Sequence, residues 1–195
     1  MIQKRVIVFS TAFFPLVGGA EVALKEIMAR LTSIHFDVVC AKIQPGLKST
    51  EQFAENVTIH RVGVGSKVDK FLLPFLGSIR AARLEGSHDA VIWSLMASFG
   101  GFAALVYCAF RRNAKMLLTL QEGDPLEHYA KRAGAFRFLH KMIFRRANAV
   151  QAISTFLAKW ATEMGFNGTP VVVPNGAESA SVGKAVVALM RRSPA

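Results

Sequence analysis

The stretch Arg5–Arg30, RVIVFSTAFFPLVGGAEVALKEIMAR, decides the fold. It begins with a short apolar run, passes through a loop with two adjacent glycines, Gly18 and Gly19, and continues with apolar residues at helical spacing. A strand that is covered on both faces of a sheet reads as a continuous apolar run. The order of these segments therefore predicts a strand, a loop and a helix, the repeating unit of a parallel α/β fold.

The same alternation continues along the 195 residues of the chain. About seven strands are predicted, at 5–9, 37–41, 57–62, 89–93, 115–120, 149–153 and 171–173. The predicted helices span 20–33, 74–85, 98–111, 126–146 and 155–164. Strands that alternate with helices form a sheet wound on both faces. The predicted fold class is therefore α/β, a doubly wound parallel sheet in a single domain.

The composition limits the possible classes of protein. A hydrophobic share of 52% excludes a disordered chain, and the net charge of +11 attracts polyanions such as nucleic acid, anionic lipid or phosphorylated ligands. The two cysteines, Cys40 and Cys108, have no Cys or His neighbour at metal-ligand spacing. We expect buried free thiols and no metal site, as in a protein of the reducing cytoplasm.

Two apolar segments need an interpretation that does not involve the membrane interior. The uncharged run at 95–110 is shorter than the roughly 20 residues that cross a bilayer. We expect it to form a buried helix packed on the sheet. The apolar run after Met1–Arg5 is too short for a signal peptide, so the predicted location is cytoplasmic.

In an open parallel sheet, ligands bind beyond the carboxyl ends of the strands. The first such loop ends in Gly18-Gly19-Ala20-Glu21, where glycines permit close approach of backbone and a helix N-terminus offers N–H groups to an anion. A plain glycine turn, with Glu21 complementing the helix dipole, explains the same residues. Spacing alone leaves both explanations open.

Polar residues also follow two later strands. Gln121 and Glu122 precede a glycine-containing turn, which suits either a hydroxyl-rich ligand or a solvated turn. Ser154 is predicted to cap the next helix. The chain lacks a Gly-x-Gly-x-x-Gly fingerprint followed by a helix and a Gly-Lys-Ser/Thr loop, which argues against a dehydrogenase and a P-loop NTPase.

Three motifs together resemble those of retaining glycosyltransferase family 4. They are Pro15-(x)2-Gly18-Gly19-Ala20-Glu21, Ala147–Ser154 (ANAVQAIS) and Val172–Glu178 (VVPNGAE), and they keep the family's order and spacing. The resemblance covers residues 1–178. It implies a GT-B architecture, in which a Rossmann-like N-terminal domain receives the acceptor and a second Rossmann-like domain holds the nucleotide-sugar donor.

The resemblance also implies roles for individual residues. Gly18 and Gly19, with Glu21, match the loop that approaches the donor diphosphate and the acceptor. Gln121 and Glu122 stand where many members place a histidine near the transferred sugar, and Asn175 and Gly176 match the interdomain turn. The nucleotide sugar is a co-substrate, no metal or other cofactor is implied, and no residue is identified as catalytic.

The resemblance predicts a domain at 1–178 and a tail at 179–195. The glycine loop and paired glutamates of a donor-binding domain do not follow within these 195 residues. We therefore expect the chain to be inactive by itself. A fragment, a truncated gene product and one chain of a split enzyme remain open.

Two basic stretches are candidates for a membrane surface. Lys67, Lys70, Arg80 and Arg83 are interspersed with aromatic and aliphatic residues, and 131–146 holds six more Lys and Arg. Solvated basic faces over core helices explain the pattern equally well. In the second stretch, Phe136, Leu139 and Ile143 are predicted to face the core, and His140 is predicted to be packed or exposed rather than a ligand.

Family members that act on lipid acceptors dock peripherally through this domain, which favours the membrane surface. The predicted function is transfer of a hexose to a lipid-linked or polysaccharide acceptor, as in cell-envelope polysaccharide synthesis, on the inner face of the cytoplasmic membrane. The alternatives are a membrane-docked acceptor subunit of a split transferase and a non-enzymatic basic module that binds nucleic acid. The absence of a recognised nucleic-acid motif argues against the last.

Overall fold

The computed structural model describes residues 4–84, 90–122 and 137–176. Their centre is one eight-stranded sheet in the order β3-β4-β2-β1-β5-β6-β7-β8. Neighbouring strands are parallel except for β3, which pairs antiparallel with β4 at one edge. The strands are β1 (Lys4–Phe9), β2 (Ile34–Ala41), β3 (Thr50–Ala54), β4 (Val57–Val62), β5 (Val91–Leu95), β6 (Met116–Leu120), β7 (Ala149–Ala152) and β8 (Val171–Val172).

Five helices are described, and they cover both faces of the sheet. They are α1 (Gly19–Arg30), α2 (Asp69–Ala82), α3 (Phe99–Phe110), α4 (Arg137–Arg146) and α5 (Thr155–Glu163). Leu24 and Met28 of α1 are fully buried in one core layer. The rest of this layer consists mainly of alternate strand residues on the face of the sheet that α1 covers. The other four helices contribute to the second core layer on the opposite face. The predicted doubly wound α/β fold is confirmed.

Each core layer contains one free cysteine. Cys40 of β2 is fully buried in the layer under α1, and Cys108 of α3 is 1% exposed in the other layer. Burial raises the pKa of Cys40 to about 12 and also raises the pKa of Cys108. Both thiols are packed as small apolar side chains, as the sequence predicts.

Several element boundaries differ from prediction. Strand β2 begins at Ile34 rather than at 37, and helix α1 ends at Arg30 rather than at 33. The edge strand β3 was not predicted, because its TEQFA sequence is polar and half exposed. Strand β5 begins and ends two residues later than predicted. Helix α2 begins at Asp69 rather than Pro74, and Pro74 lies inside it. A proline at that position removes one backbone hydrogen bond but does not end the helix.

The early start of α2 has a local cause. The carboxylate Oδ2 of Asp69 accepts hydrogen bonds from the backbone N–H groups of Gly65 and Ser66, at 2.7 and 3.0 Å. Gly63, with φ at +110°, lies so close to this carboxylate that a Cβ would be 2.2 Å from its Cγ. The turn and the first helical residue therefore form one unit.

Within the described ranges, no helix is both long and apolar enough to span a lipid bilayer. The uncharged run at 95–110 contributes to β5 and to α3, and α3 packs against α2, α4 and β5. Most of the helix predicted at 126–146 lies outside the described residues, as does the predicted tail at 179–195.

Candidate functional site at the carboxyl edge of the sheet

The chain leaves β1 towards β2 on one side and returns to β5 on the other. Such a switch in strand order opens a crevice at the carboxyl ends of the two strands. A hydrogen bond of 3.0 Å between the hydroxyls of Thr11 and Ser98 joins the loops that follow β1 and β5. Helix α3 is close to β1 here, because a Cβ on Gly100 would lie 2.9 Å from the carbonyl oxygen of Phe9.

Two buried side chains hold the peptide groups of Ala97, in the loop after β5. The backbone N–H of Ala97 donates to Oε1 of Glu122 at 2.7 Å. Its carbonyl accepts a hydrogen bond of 2.6 Å from Nε2 of His140, so the imidazole carries a proton on that nitrogen. Met96, just before, has a left-handed φ of +62°. This arrangement, which we call the Ala97 clamp, fixes the loop from β6 and from α4.

The second carboxylate oxygen of Glu122 has an unusual environment. The residue is 8% exposed, and Oε2 is buried without a hydrogen-bond partner. Burial raises the pKa of Glu122 to about 7, although the hydrogen bond from Ala97 opposes the shift. Burial likewise lowers the pKa of His140. A glutamic acid that is half protonated near neutral pH can donate a hydrogen bond as well as accept one.

Gln121 and Asn175, predicted separately, are brought together. Nδ2 of Asn175 donates to Oε1 of Gln121 at 3.2 Å. This bond connects the end of β6 with the segment after β8. Together with Thr11–Ser98 and the Ala97 clamp, it makes a continuous line of contacts along the carboxyl edge. Gly176 is exposed beside Asn175, and a Cβ there would meet nothing within 4 Å.

The glycine loop lies at the start of α1, at the same edge. Oε2 of Glu21 accepts a hydrogen bond of 2.7 Å from the N–H of Gly18, so its carboxylate caps the helix. Among the described residues, the N–H groups of Gly19 and Ala20 have no hydrogen-bond partner. The space beside Gly19 is open, and neither Gly18 nor Gly19 has a positive φ. Backbone conformation does not require glycine here, whereas close approach of a ligand would.

The four predicted membrane-facing cations lie at two ends of α2. Lys67 and Lys70 are at its start, where Nζ of Lys70 lies 5.1 Å from the ring centre of Phe71. Arg83 caps its end. Arg80 differs, since its Nη2 donates to Nδ1 of His60 at 2.9 Å.

Between these ends, α2 presents an exposed apolar stripe that we call the α2 ridge. Its members recur at helical spacing and are 39–65% exposed: Val68, Phe71, Leu72, Phe75, Leu76 and Ile79. The opposite side of the same helix, including Leu73 and Ala81, is fully buried in the core. Helix α2 is therefore apolar on two sides, and the described residues cover only one of them.

Several smaller predictions can be compared with the structure. Ser154 caps α5 as predicted, because its Oγ accepts a hydrogen bond from Leu157 N at 3.2 Å. His140 is packed, as predicted, against the rings of Phe144 and Trp160. The prediction for Leu139 is wrong, since it is 40% exposed. Among the described residues, no group of His, Cys, Asp and Glu side chains could hold a metal ion.

Sequence reasoning missed Thr11, Ser98 and the contribution of His140. A hydroxyl residue in a loop carries no pattern of its own, and the Thr11–Ser98 pair is 87 residues apart. One available signal was the topological switch itself. It places the residues just after β1 and β5 next to each other, whichever side chains they carry.

An open, mostly parallel sheet with helices on both faces and loops gathered at one carboxyl edge is a Rossmann-like α/β domain. Residues 18–176 match the family model of the glycosyl transferase 4-like domain. The match covers most of the chain, and the protein belongs to that family. No curated protein matches the sequence significantly.

Solved structures of GT-B glycosyltransferases have a similar fold. The sucrose-phosphate synthase of Thermosynechococcus elongatus is 13% identical with a TM-score of 0.71, covering 98% of this chain and 54% of that one. A shorter form of it, 13% identical, has a TM-score of 0.64 over 97% of this chain and 98% of its own length. The α,α-trehalose 6-phosphate synthase of Burkholderia multivorans is 12% identical, with a TM-score of 0.60 over 100% of this chain and 54% of that one. At such identities the likeness shows the fold alone.

Proposed function

We propose that this domain receives the acceptor in a retaining transfer of a hexose from a nucleotide sugar to a lipid-linked or polysaccharide acceptor. The observation that carries the proposal is the line of contacts at the carboxyl edge, from Thr11–Ser98 through the Ala97 clamp to Gln121–Asn175. Membership of the glycosyl transferase 4-like family supports the class of reaction.

The polar groups at this edge suit the binding of a sugar that is transferred from the donor to the acceptor. The unpartnered N–H groups of Gly19 and Ala20 at the start of α1 suit the departing diphosphate. Gln121 and the hydroxyls of Thr11 and Ser98 offer donors and acceptors to sugar hydroxyls. In this arrangement the protein accelerates transfer by placing the acceptor hydroxyl against the donor. Asn175 and Gly176 form the turn towards a donor-binding domain, supplied in the same chain or by another.

Membrane docking is part of the proposal. The α2 ridge exposes two phenylalanines and four aliphatic residues, and Lys67 and Lys70 lie at the N-terminal end of α2. An apolar stripe bordered by cations is typical of a surface that lies on anionic lipid without crossing it. The proposed location is the inner face of the cytoplasmic membrane, where a lipid-linked acceptor is met at the carboxyl edge of the sheet.

Backbone amide NMR of the 195-residue chain tests the acceptor assignment. A short-chain polyprenyl-phosphate sugar should shift the amide signals of Gly18, Gly19, Ser98 and Gln121. Uridine and guanosine diphosphate sugars should bind at millimolar affinity at best in calorimetry, without turnover, because the donor half of the site is not in these residues. Micromolar nucleotide-sugar binding with turnover, or acceptor shifts confined to another face, would contradict the proposal.

A further inference from the structure

A groove of about 320 Å³ lies between the C-terminal turns of α2 and α3. Its lining is mostly apolar and includes Ile79 and Ala82 from α2, with Tyr107 and Phe110 from α3. Arg83 and Arg111, the residues that end the two helices, complete the lining. Because α2 and α3 run from the carboxyl edge to the opposite edge, the groove is at the far end of the domain from the candidate sugar site.

The two arginines at the groove are available to an occupant. Neither guanidinium makes a hydrogen bond or an ion pair with the part of the chain that the structure describes, whereas nearby Arg80 binds His60 and Arg146 binds two backbone carbonyls. None of the described residues that line the groove is acidic. The ends of two helices contribute a partial negative charge of about half a unit each, which two full positive charges exceed. The groove is therefore suited to an anion.

A free inorganic anion would leave the apolar side chains of the groove exposed to water. Phe110 is 83% exposed and Ile79 is 48% exposed, so both offer apolar surface to an occupant. Ile79 also belongs to the α2 ridge, which makes the groove continuous with the surface that we assign to the membrane. An occupant with an anionic head and an apolar chain satisfies both parts, and inorganic phosphate satisfies only one.

We propose that this groove binds a single anionic phospholipid, with its phosphate between Arg83 and Arg111 and its acyl chain along Ile79 and Phe110. The inference rests on the proposed membrane docking and extends it. Helix α2, of 14 residues, is about 21 Å long. Contacts at Lys67 and Lys70 on one end and a bound lipid on the other hold the helix axis along the membrane plane. The carboxyl edge is thereby kept at the level of the lipid headgroups.

The test uses the 195-residue chain and lysophosphatidylglycerol below its critical micelle concentration, with calorimetry as the readout. We expect one lipid per chain, and at least tenfold weaker binding in the Arg83→Gln/Arg111→Gln variant. Phe110→Ser should also weaken binding, and its exposed side chain makes a folding defect unexpected. Glycerol 3-phosphate, which lacks the acyl chain, should bind at least tenfold more weakly than the lipid.

The matched control is Arg112→Gln/Lys115→Gln, two exposed cations near the same end of α3 but outside the groove. Equal loss in the control and groove variants, equal affinity for glycerol 3-phosphate, or several lipids per chain would overturn the proposal. So would a dimer in analytical ultracentrifugation that buries the groove and is abolished by Phe110→Ser. A chain that binds anionic vesicles but not monomeric lipid would refute the groove and leave the proposed function standing.

Discussion

The side chain of Asn175 donates a hydrogen bond to that of Gln121 across 3.2 Å, although 54 residues separate them in the sequence. Gln121 follows β6 and Asn175 follows β8, so the bond passes over the end of β7, which lies between these strands. It ties the segment that resembles an interdomain turn to the residue assigned next to the transferred sugar. We expect the two side chains to be energetically coupled.

A double-mutant cycle measures this connection. Asn175→Ala and Gln121→Ala should each lower the free energy of unfolding by about 1 kcal/mol, and their combined effect should fall short of the sum by 0.5–1.5 kcal/mol, on the order of one hydrogen bond. Gln121→Glu keeps an acceptor oxygen and should retain most of the coupling. Urea denaturation gives the numbers, and strictly additive effects would show that the bond does not form in solution.

Glu122 should make stability depend on pH. Its pKa is about 7 when folded and near 4.5 when unfolded, so its contribution is fully present below pH 4.5 and is lost as pH rises through 7. The free energy of unfolding should fall by about 3 kcal/mol, with most of the decrease between pH 5 and 7. Glu122→Gln keeps an oxygen for the N–H of Ala97 and removes the titration. Relative to this variant, wild type should become less stable as pH rises.

Titration of His140 makes the protein more stable as pH rises, opposite to Glu122. The test therefore uses the difference in stability between wild type and Glu122→Gln. Its folded pKa lies below 6.5, so its cost to stability is present in acid and disappears as pH rises to 6.5. The effect is present in wild type and in Glu122→Gln, so subtracting their stabilities removes it except for the coupling between the two side chains, which bind the same residue, Ala97. Denaturation curves at half-unit steps from pH 4.5 to 8 are sufficient. A difference that stays constant with pH would mean that the carboxyl of Glu122 ionises normally.

Gly19→Val separates the ligand-binding role of the glycine loop from a structural one. A Cβ at Gly19 meets nothing within 4 Å and the residue has no positive φ, so the melting temperature should stay the same or rise slightly. If donor diphosphate and acceptor approach this backbone, transfer by the two-domain enzyme should fall at least a hundredfold. Activity within twofold of wild type would reduce the loop to a turn that caps α1.

Lys67→Gln/Lys70→Gln should weaken binding to vesicles that contain anionic lipid. Each basic residue near an anionic surface contributes about 1 kcal/mol, so the pair accounts for about a thirtyfold change at low salt. Lys115→Gln/Lys159→Gln, two exposed lysines outside α2 and the turn before it, is the matched control. Vesicle co-sedimentation at low and high salt decides between them. Equal binding of both variants, or equal recovery on neutral lipid, would mean that the charges are only solvated.

Much of the fold could be predicted because its signals are local. A run such as Val6–Phe9 has to be covered on both faces wherever it occurs, and helices between such runs can only pack on those faces. The failures were also local in origin. Strand β3 has no apolar run, and the start of α2 depends on the contact between Asp69 and the turn at Gly65, which a proline rule cannot anticipate.

The candidate site was predicted in parts and not as a whole. Gly18, Gly19, Gln121 and Asn175 were found from loop position and family resemblance. The line of contacts that joins the loops depends on Thr11, Ala97, Ser98 and His140, whose proximity arises only after the strands are ordered. A buried carboxylate oxygen such as Oε2 of Glu122 likewise has no sequence signature, because burial of one atom depends on packing from three elements.

The two buried cysteines give the unmodified protein a pair of unfolding reporters. Cys40 lies in the core layer under α1 and Cys108 in the layer under the remaining helices, and neither thiol is reactive while its layer is closed. The rate at which iodoacetamide modifies each cysteine therefore measures how often that side of the sheet opens. Equal rates would mean that both faces separate from their helices in one cooperative event. Faster modification of one thiol would identify the layer that opens first.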